Sequence, residues 1–380
     1  MSLPDDATLR LSDIDWRWAL PRIALLFIVT RLLVLAVAVS VEVTQPDPPK
    51  VLDERPVIGS LVIWDSEYFL GVAEDGYHAD PAYGPDYAFY PLYPATVKAA
   101  SLLTAGDTAI AGILVANVAF ALALVALYAL SVRYLTPTRA LLSLWFLALA
   151  PGAAAFTLSY SDSLFLLLSV GVFLAAELRH PWIAGIALAL ATLTRAPGLL
   201  LALPLLVLYI ERDGPRPTRS WLPLALAPIA LAGFFAYTWW LTGDPLAPVS
   251  AYSYWDAPAA SGGEAAAVAE AQLSRMSAEA SPYAVIGLWL GVIVLYTFLF
   301  VFFRHDRIRP AYWLVAILAV AGIFLAGLMQ SAPRYLAVAW PFTWVLANRR
   351  SRVGMALALA GFALLQVVFL WLHFTWSVPP

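Results

Sequence analysis

The sequence of 380 residues contains no cysteine, and only 12% of its residues are charged. The lack of cysteine excludes disulfides, thiol nucleophiles and thiolate metal ligands. An ordinary soluble domain has about 25% charged residues, so this chain has too few to cover a composition that is 62% hydrophobic. The net charge of −3 argues against nucleic acid as a partner. These shortages predict an all-α polytopic membrane protein.

Motifs for nucleotide use are also missing. The chain has no Gly-rich phosphate loop and no GxSxG motif, and its four histidines have no metal-ligand spacing. No predicted cytoplasmic segment is long enough for a nucleotide-binding domain. The sequence therefore predicts neither a bound cofactor nor a dedicated metal site, although the acidic loop described below could bind a divalent metal loosely.

Apolar runs of the length that spans a bilayer as a helix, roughly 20 residues, follow one another along the chain. Pro197 interrupts one of them, and because proline cannot donate to an interior helix ladder, that run is interpreted as two short helices meeting at a break. The pattern predicts about eleven transmembrane helices in one integral domain, residues 1–380. The predicted spans are 18–41, 108–131, 139–157, 163–178, the broken run 182–210, 219–241, 283–303, 310–330, 334–347 and 353–373.

Two long polar loops, residues 42–107 and 242–282, separate predicted spans. If the N-terminus is cytoplasmic and the break at Arg195 faces outward, most of the 22 basic residues lie at cytoplasmic helix ends. Both loops and the break then share the extracytoplasmic side. We expect the first loop to carry short amphipathic helices, including one over residues 90–104. The Ala-, Leu- and Arg-rich composition suggests a high-GC bacterium. The expected location is then the cytoplasmic membrane of that bacterium.

The candidate catalytic residue lies in the first loop. Asp65 follows an apolar run, residues 57–64, so we expect its carboxylate to be partly desolvated at the membrane interface. Burial makes a carboxylate a better base. The same position suits an N-cap of a helix over residues 66–73. The spacing alone leaves both roles open.

Two arginines are candidates for binding an anionic head group. Arg195 and Arg334 each lie beside a proline at the end of a span, where a cation is costly unless it faces a cavity or a partner. Arginine offers bidentate geometry to phosphate. The alternatives are snorkelling to the interface or an ion pair with Asp162. Asp162 itself could cap the span that follows it, or contact substrate or an arginine.

Further side chains of the first loop are candidates for substrate binding. Aromatic rings offer flat apolar faces to sugars, and tyrosines add a hydroxyl, although the same rings suit a lipid interface. Glu67 and Lys98 add charge beside them. The predicted substrate-binding residues are Trp64, Glu67, Tyr68, Tyr90, Tyr93, Lys98, Asp162, Arg195 and Arg334.

Four short motifs carry a family resemblance. They are Trp64-Asp65 with Tyr68-Phe69 and Gly76-Tyr77, the run AFYPLYP from Ala88 to Pro94, the run YSDSLF from Tyr160 to Phe165, and Arg195 with Gly198. In this order and spacing, over about residues 60–200, the sequence resembles the second-mannosyltransferase family of glycosylphosphatidylinositol assembly, called PIG-V, and its bacterial homologues. It departs from the family in carrying Ala196-Pro197 before Gly198, and Asp162 where the family often has Glu.

The resemblance implies a GT-C-like fold and a multispan enzyme that takes sugar from a polyprenyl-phosphate donor outside the cytoplasm. Asp65 matches the acidic residue of the first outer loop that is the usual catalytic base in such enzymes. The hypothesis is that Asp65 deprotonates an acceptor hydroxyl, which attacks the anomeric carbon with inversion, while Arg195, Arg334 or both hold the leaving phosphate. Mannose is the expected sugar, although the residues alone do not distinguish it from arabinose or another hexose. The acceptor, a lipid-linked or cell-envelope glycan, is not carried over from the family.

Two other functions fit part of this pattern. A lipid-linked sugar transporter, or flippase, would also need many spans, a broken helix and interfacial arginines, and often shows internal repeats; the sequence shows no clear repeat. A non-catalytic subunit of a glycosylation complex would use the loops to dock a partner and would not need Asp65.

Overall fold

The computed structural model describes residues 10–44, 53–80, 84–251, 291, 294, 308–325, 331–349 and 351–375. The regular secondary structure among these residues consists of helices, joined by turns and irregular segments. In chain order the α-helices are α1 (Trp16–Thr44), α2 (Ile58–Leu61), α3 (Ser66–Asp75), α4 (Leu92–Ser101), α5 (Thr108–Ser131), α6 (Pro137–Ala148), α7 (Asp162–Glu177), α8 (Pro181–Thr194), α9 (Ala202–Asp213), α10 (Leu226–Thr242), α11 (Ala247–Ser250), α12 (Pro310–Leu325), α13 (Ala332–Ala337), α14 (Pro341–Ala347) and α15 (Arg352–Phe374). Short 3-10 helices cover Leu11–Asp13, Asp86–Ala88, Pro151–Phe156, Ala196–Leu201 and Arg219–Ala225.

Four of the described helical runs are long and apolar enough to cross a membrane. They are α1, α5, the run Arg219–Thr242 that ends in α10, and α15. Shorter apolar helices cover Pro181–Thr194 and Pro310–Ile323. These runs agree with the predicted all-helical polytopic membrane class. The count of about eleven spans and the division into one domain with two loops stay predictions. Most of the predicted span 283–303 and most of the loop 242–282 lie outside the described residues.

The bounds of α5 and the break near Pro197 agree with the predictions made from the sequence. Helix α5 covers the predicted residues 108–131, and the Asp107 carboxylate caps it by accepting from the backbone N–H of Ile110 at 2.9 Å. The predicted break in 182–210 is present: α8 ends at Thr194, a 3-10 turn containing Pro197 follows, and α9 continues the run. The predicted surface helix over 90–104 is α4, which is shorter.

Two predicted spans are wrong as single helices. The run 139–157 ends as an α-helix at Ala148, and the chain continues in the 3-10 turn Pro151–Phe156. The run 334–347 is divided into α13 and α14, with the break just before Pro341. In both places a proline removes a backbone donor and its ring crowds the preceding turn. The breaks before Pro151 and before Pro341 shape the region beside Asp65.

A buried apolar cluster supports the turn that carries Asp65. It joins residues of α1, α3, α5 and α15, represented by Val34, Phe69, Val115 and Leu370. The 3-10 turn Pro151–Phe156 packs against both α13 and α15. The first loop, the middle of the chain and its C-terminal helices therefore meet at one end of the helix bundle.

Candidate active site

Asp65 lies in a sharp turn that leads into α3. The residue before it, Trp64, has a φ of +56°, a left-handed conformation that is uncommon for a residue with a side chain. The carbonyls of Trp64 and Asp65 accept hydrogen bonds from the backbone N–H groups of Glu67 and Phe69. Asp65 itself has helical dihedral angles, and its side chain makes no capping bond. The alternative role of Asp65 as an N-cap is therefore wrong.

The Asp65 carboxylate pairs instead with an arginine from the C-terminal part of the chain. Nη1 of Arg334 lies 2.5 Å from Oδ2 of Asp65. The same guanidinium donates through Nε and Nη2 to Oδ2 of Asp162, at 2.8 and 2.7 Å. Nη1 of Arg195 pairs with Oδ1 of Asp162. One carboxylate thus holds two arginines, and one of these arginines holds Asp65.

The four charged groups differ in exposure. The Asp162 side chain is 0% exposed, Arg334 3% and Arg195 10%, whereas 35% of the Asp65 side chain is exposed. Two positive and two negative charges cancel within the cluster, as buried ions require. Asp65 is therefore the member of the four that is most accessible from outside the cluster.

Close backbone packing brings Arg334 to this position. A Cβ atom at Gly152, in the 3-10 turn Pro151–Phe156, would overlap the carbonyl oxygen of Pro333 and the backbone nitrogen of Arg334. Pro333 lies in the first turn of α13, where no backbone N–H is needed. The ring of Tyr160 covers the guanidinium, with its centroid 4.4 Å from Cζ of Arg334. Gly152, Pro333 and Tyr160 together define the slot that holds Arg334.

The predicted helix break directs Arg195 inward. Helix α8 ends one residue earlier, and Arg195 is extended, with a φ of −157°. A Cβ atom at Gly198 would overlap the backbone of Ala191, so the 3-10 turn folds tightly onto the end of α8. The guanidinium lies 4.8 Å from the ring centroid of Tyr335. Of the alternatives left open by the sequence, the ion pair with Asp162 is the one observed.

Tyr160 and Ser159 hold the backbone on both sides of Asp65. The hydroxyl of Tyr160 donates to the carbonyl of Ile63 at 2.9 Å, and Oγ of Ser66 donates to the carbonyl of Ser159 at 3.3 Å. All these side chains are buried. The turn that precedes α7 thus fixes the turn that precedes α3.

Three other predicted substrate-binding residues are exposed or half-buried. Tyr68 is half-buried and stacks on Phe89, with 4.8 Å between ring centroids. Glu67 is exposed. Lys98 is exposed on α4, where its ammonium donates to the carbonyl of Glu74 at 3.2 Å. Their contact with a substrate stays a prediction.

Tyr90, Tyr93 and Asp162 are buried, and their placement does not support the predicted direct contact with a substrate. The hydroxyl of Tyr93 donates to the carbonyl of Gly112 at 3.1 Å. Tyr90 packs against Phe234, with 5.1 Å between ring centroids. Asp162 is enclosed by the two arginines. Because burial leaves these side chains almost no free surface, they shape the walls of the site.

Gly152, Tyr160 and His373 contact the site but are not among the site residues predicted from the sequence. Tyr160 belongs to the YSDSLF motif, so that motif carried a usable signal. The half-buried indole of Trp64 stacks on His373 of α15, with 6.3 Å between ring centroids and 25° between planes. No local pattern marks Gly152 or His373, because each acts through contact with a distant segment.

Among the residues that the structure describes, no group of three or more His, Cys, Asp or Glu side chains could hold a metal ion. The carboxylates of Asp65 and Asp162 both face arginine, whose charge opposes a second cation. The absence of a cofactor stays a prediction.

Comparison with known proteins identifies relatives of the N-terminal half. Residues 23–210 match the family model described as mannosyltransferase (PIG-V). GPI mannosyltransferase 2 of Cryptococcus neoformans is 31% identical over 161 residues, which cover 40% of this chain and 37% of that protein. GPI alpha-1,6-mannosyltransferase 2 of Mus musculus is 29% identical over 153 residues, 38% of this chain and 30% of that protein. The matched region thus spans about a third of the length of these relatives.

Among solved structures, the chain is similar to the archaeal oligosaccharyltransferase of Archaeoglobus fulgidus. The apo form aligns with a TM-score of 0.48 and 12% identity, covering 94% of this chain and 56% of that chain. The complex of the same enzyme with an inhibitory peptide and a dolichol-phosphate aligns with a TM-score of 0.46 and 13% identity, over 95% and 56%. On its residues 23–210, the chain belongs to the mannosyltransferase (PIG-V) family.

Proposed function

We propose that this protein transfers a mannosyl group from a polyprenyl-phosphate donor to a lipid-linked or cell-envelope glycan acceptor, with inversion at the anomeric carbon. The observation that carries the proposal is the placement of Asp65. It is a partly exposed carboxylate that a buried arginine, Arg334, holds beside a rigid turn. Family membership supports the class of reaction, because the matched relatives are named mannosyltransferases.

In the proposed reaction Asp65 is the general base. Its carboxylate takes the proton of an acceptor hydroxyl as the oxygen attacks the anomeric carbon. The bond between that carbon and the phosphate oxygen breaks, and the electron pair leaves with polyprenyl phosphate. The proton then passes from Asp65 to solvent. A phosphate can depart as an anion, so the step needs no general acid.

The arginines act on the leaving group in this proposal. Arg334 now donates one N–H to Asp65 and two to Asp162. We infer that the donor phosphate replaces Asp65 at Nη1 of Arg334, which leaves the carboxylate free for the acceptor proton. Asp162 and Arg195 keep the guanidinium in place during this exchange. Fixed cationic donors stabilise the charge that develops on the phosphate.

The proposed location is the cytoplasmic membrane of a bacterium, with the N-terminus inside and the active site outside. The excess of basic residues at one set of helix ends supports this orientation. The polyprenyl tail of the donor would remain in the bilayer, which keeps its phosphate at the depth of an interfacial site.

A transfer assay tests the proposal. The wild type and Asp65→Asn, reconstituted in vesicles, would receive polyprenyl-phosphate carrying tritiated mannose and a membrane glycolipid extract. Loss of a positioned base lowers turnover by roughly 10²–10⁴-fold, so we expect Asp65→Asn to lose nearly all transfer. Asp80→Asn, an exposed carboxylate of the same loop, is the matched control and should transfer as the wild type does.

The other outcomes are equally informative. Transfer that survives in a folded Asp65→Asn variant would reject Asp65 as the base and direct attention to Glu67 or Asp75. If no variant transfers mannose but the wild type moves the donor across the vesicle membrane, the protein is a transporter. If the wild type does neither and Asp65→Asn behaves identically, the non-catalytic function is favoured.

A further inference from the structure

The turn before Asp65 is held in a conformation that its sequence does not favour. A left-handed φ is unfavourable for a residue other than glycine and persists where the surroundings impose it. Trp64 has a φ of +56° and carries a large indole. A contact on that indole is therefore able to decide whether the turn keeps its shape.

His373 provides such a contact. It lies near the end of α15, is 3% exposed, and its imidazole stacks on the Trp64 indole at 6.3 Å and 25°. His373 also lines a cavity of about 20 Å³ together with Pro151, Gly152 and Pro333. These are the residues whose close packing brings Arg334 to the site. His373 thus lies between the turn that carries Asp65 and the segment that carries Arg334.

We propose that His373 is a positioning residue, which holds Trp64 in its left-handed conformation and so aims the Asp65 carboxylate. The inference rests on the proposed role of Asp65 as base. His373 and Arg334 both lie beyond residues 23–210, the part that matches the family model. The C-terminal helices therefore complete a site whose base lies in the first loop.

The reason for expecting an effect on rate is geometric. A displacement of a catalytic group by about 1 Å can lower a rate by roughly 10²-fold. Release of Trp64 to an ordinary backbone conformation would rotate the following peptide, and Asp65 with it. Binding of the donor would change little, because Arg195, Arg334 and Asp162 retain their mutual bonds.

The first experiment compares His373→Leu, which keeps bulk without a flat ring, with His373→Phe, which keeps the ring without the nitrogens. We expect His373→Leu to lower kcat by roughly 10- to 100-fold with little change in KM for the donor, and His373→Phe to recover most of the loss. Gln366→Met is the matched control, because Gln366 is a buried polar residue of the same helix that bonds to the carbonyl of Ala148. Equal loss in the Leu and Phe variants would overturn the stacking role.

A second measurement does not depend on activity. The chain has no cysteine, so Glu67→Cys gives a single attachment point for a nitroxide label on α3, close to Asp65. The label should become more mobile in His373→Leu and stay restrained in His373→Phe and Gln366→Met. Unchanged mobility in His373→Leu would reject the proposal. If no variant transfers mannose but the label responds as expected, the proposed reaction fails and the positioning contact stands.

A double-variant test asks whether His373 acts through Trp64. Glycine adopts a left-handed φ without strain, so Trp64→Gly removes both the ring and the need to hold it. In that background His373→Leu should cause no further loss of kcat or change in label mobility, whereas independent sites would give additive effects. Additivity would show that His373 acts by another route.

Discussion

Nη1 of Arg334 lies 2.5 Å from Oδ2 of Asp65, although 269 positions separate the two residues in the chain. The same arginine donates through its Nε and Nη2 atoms to Asp162. A planar guanidinium can serve two carboxylates at fixed angles, which a lysine ammonium on a flexible stem does less well. This geometry makes the site dependent on arginine as such.

Arg334→Lys should therefore abolish most transfer even though it keeps the charge. We expect a fall in kcat of roughly 10²-fold or more, since one donor of a charge-stabilising site typically contributes about 10²–10³-fold. Arg55→Lys is the control, because Arg55 pairs with Asp53 and Asp107 on the surface; its turnover should match the wild type. Full activity in Arg334→Lys would show that charge alone suffices.

Asp162→Asn should lower stability more than any exposed carboxylate substitution. It leaves Arg195 and Arg334 buried without the carboxylate that both now share. Removing one partner of a buried ion pair costs about 3–5 kcal/mol. Asp213→Asn breaks the pairs of a partly exposed carboxylate with Arg179 and with its chain neighbour Arg212, and is expected to cost about 1 kcal/mol. Thermal denaturation in detergent would compare the two; equal shifts in Tm would contradict the interpretation.

Gly152→Ala should disturb the site through backbone packing. The added methyl group would overlap the backbone of Pro333 and Arg334, so α13 must move away and take the guanidinium with it. We expect lower stability together with lower kcat. Gly171→Ala, where the new methyl meets no atom within 4 Å, should be neutral or stabilising by up to about 1 kcal/mol. A neutral Gly152→Ala would show that this contact does not define the Arg334 slot.

The two surface ion pairs that Arg55 forms with Asp53 and Asp107 should make the stability of the fold depend on pH. Hydrogen bonds from Arg55 hold the pKa of both carboxyl groups below the usual range. A carboxyl group whose pKa is lower in the folded state stabilises the fold above its unfolded pKa, and this stabilisation is lost as the pH falls through the folded value. Asp107→Asn keeps a residue able to cap α5 but removes the charge. The Tm of Asp107→Asn should lie slightly below that of the wild type at pH 7, and the difference should shrink as the pH falls below about 4. A deficit that stays constant down to pH 3 would exclude the charge as its cause.

The sequence by itself determined the features that depend on neighbours along the chain. Composition showed a helical membrane protein, because so few charges cannot solvate so much apolar surface. The bounds of α5 followed from the limits of an apolar run, residues 108–131, and the break at Arg195 followed from the geometry of Pro197. The motifs around Asp65, Asp162 and Arg195 indicated residues that the structure brings together in the candidate site.

Tertiary structure alone decided how those residues are used. Spacing made Asp65 as suitable for a cap as for a base, and only the approach of Arg334 turned its carboxylate away from α3. The same fold enclosed Asp162, which the sequence placed between two spans, and Tyr93, which the sequence placed on a surface helix, and it brought His373 onto Trp64. The physical reason is that hydropathy, proline and capping act over a few residues, whereas an ion pair or a ring contact depends on which distant helices pack together.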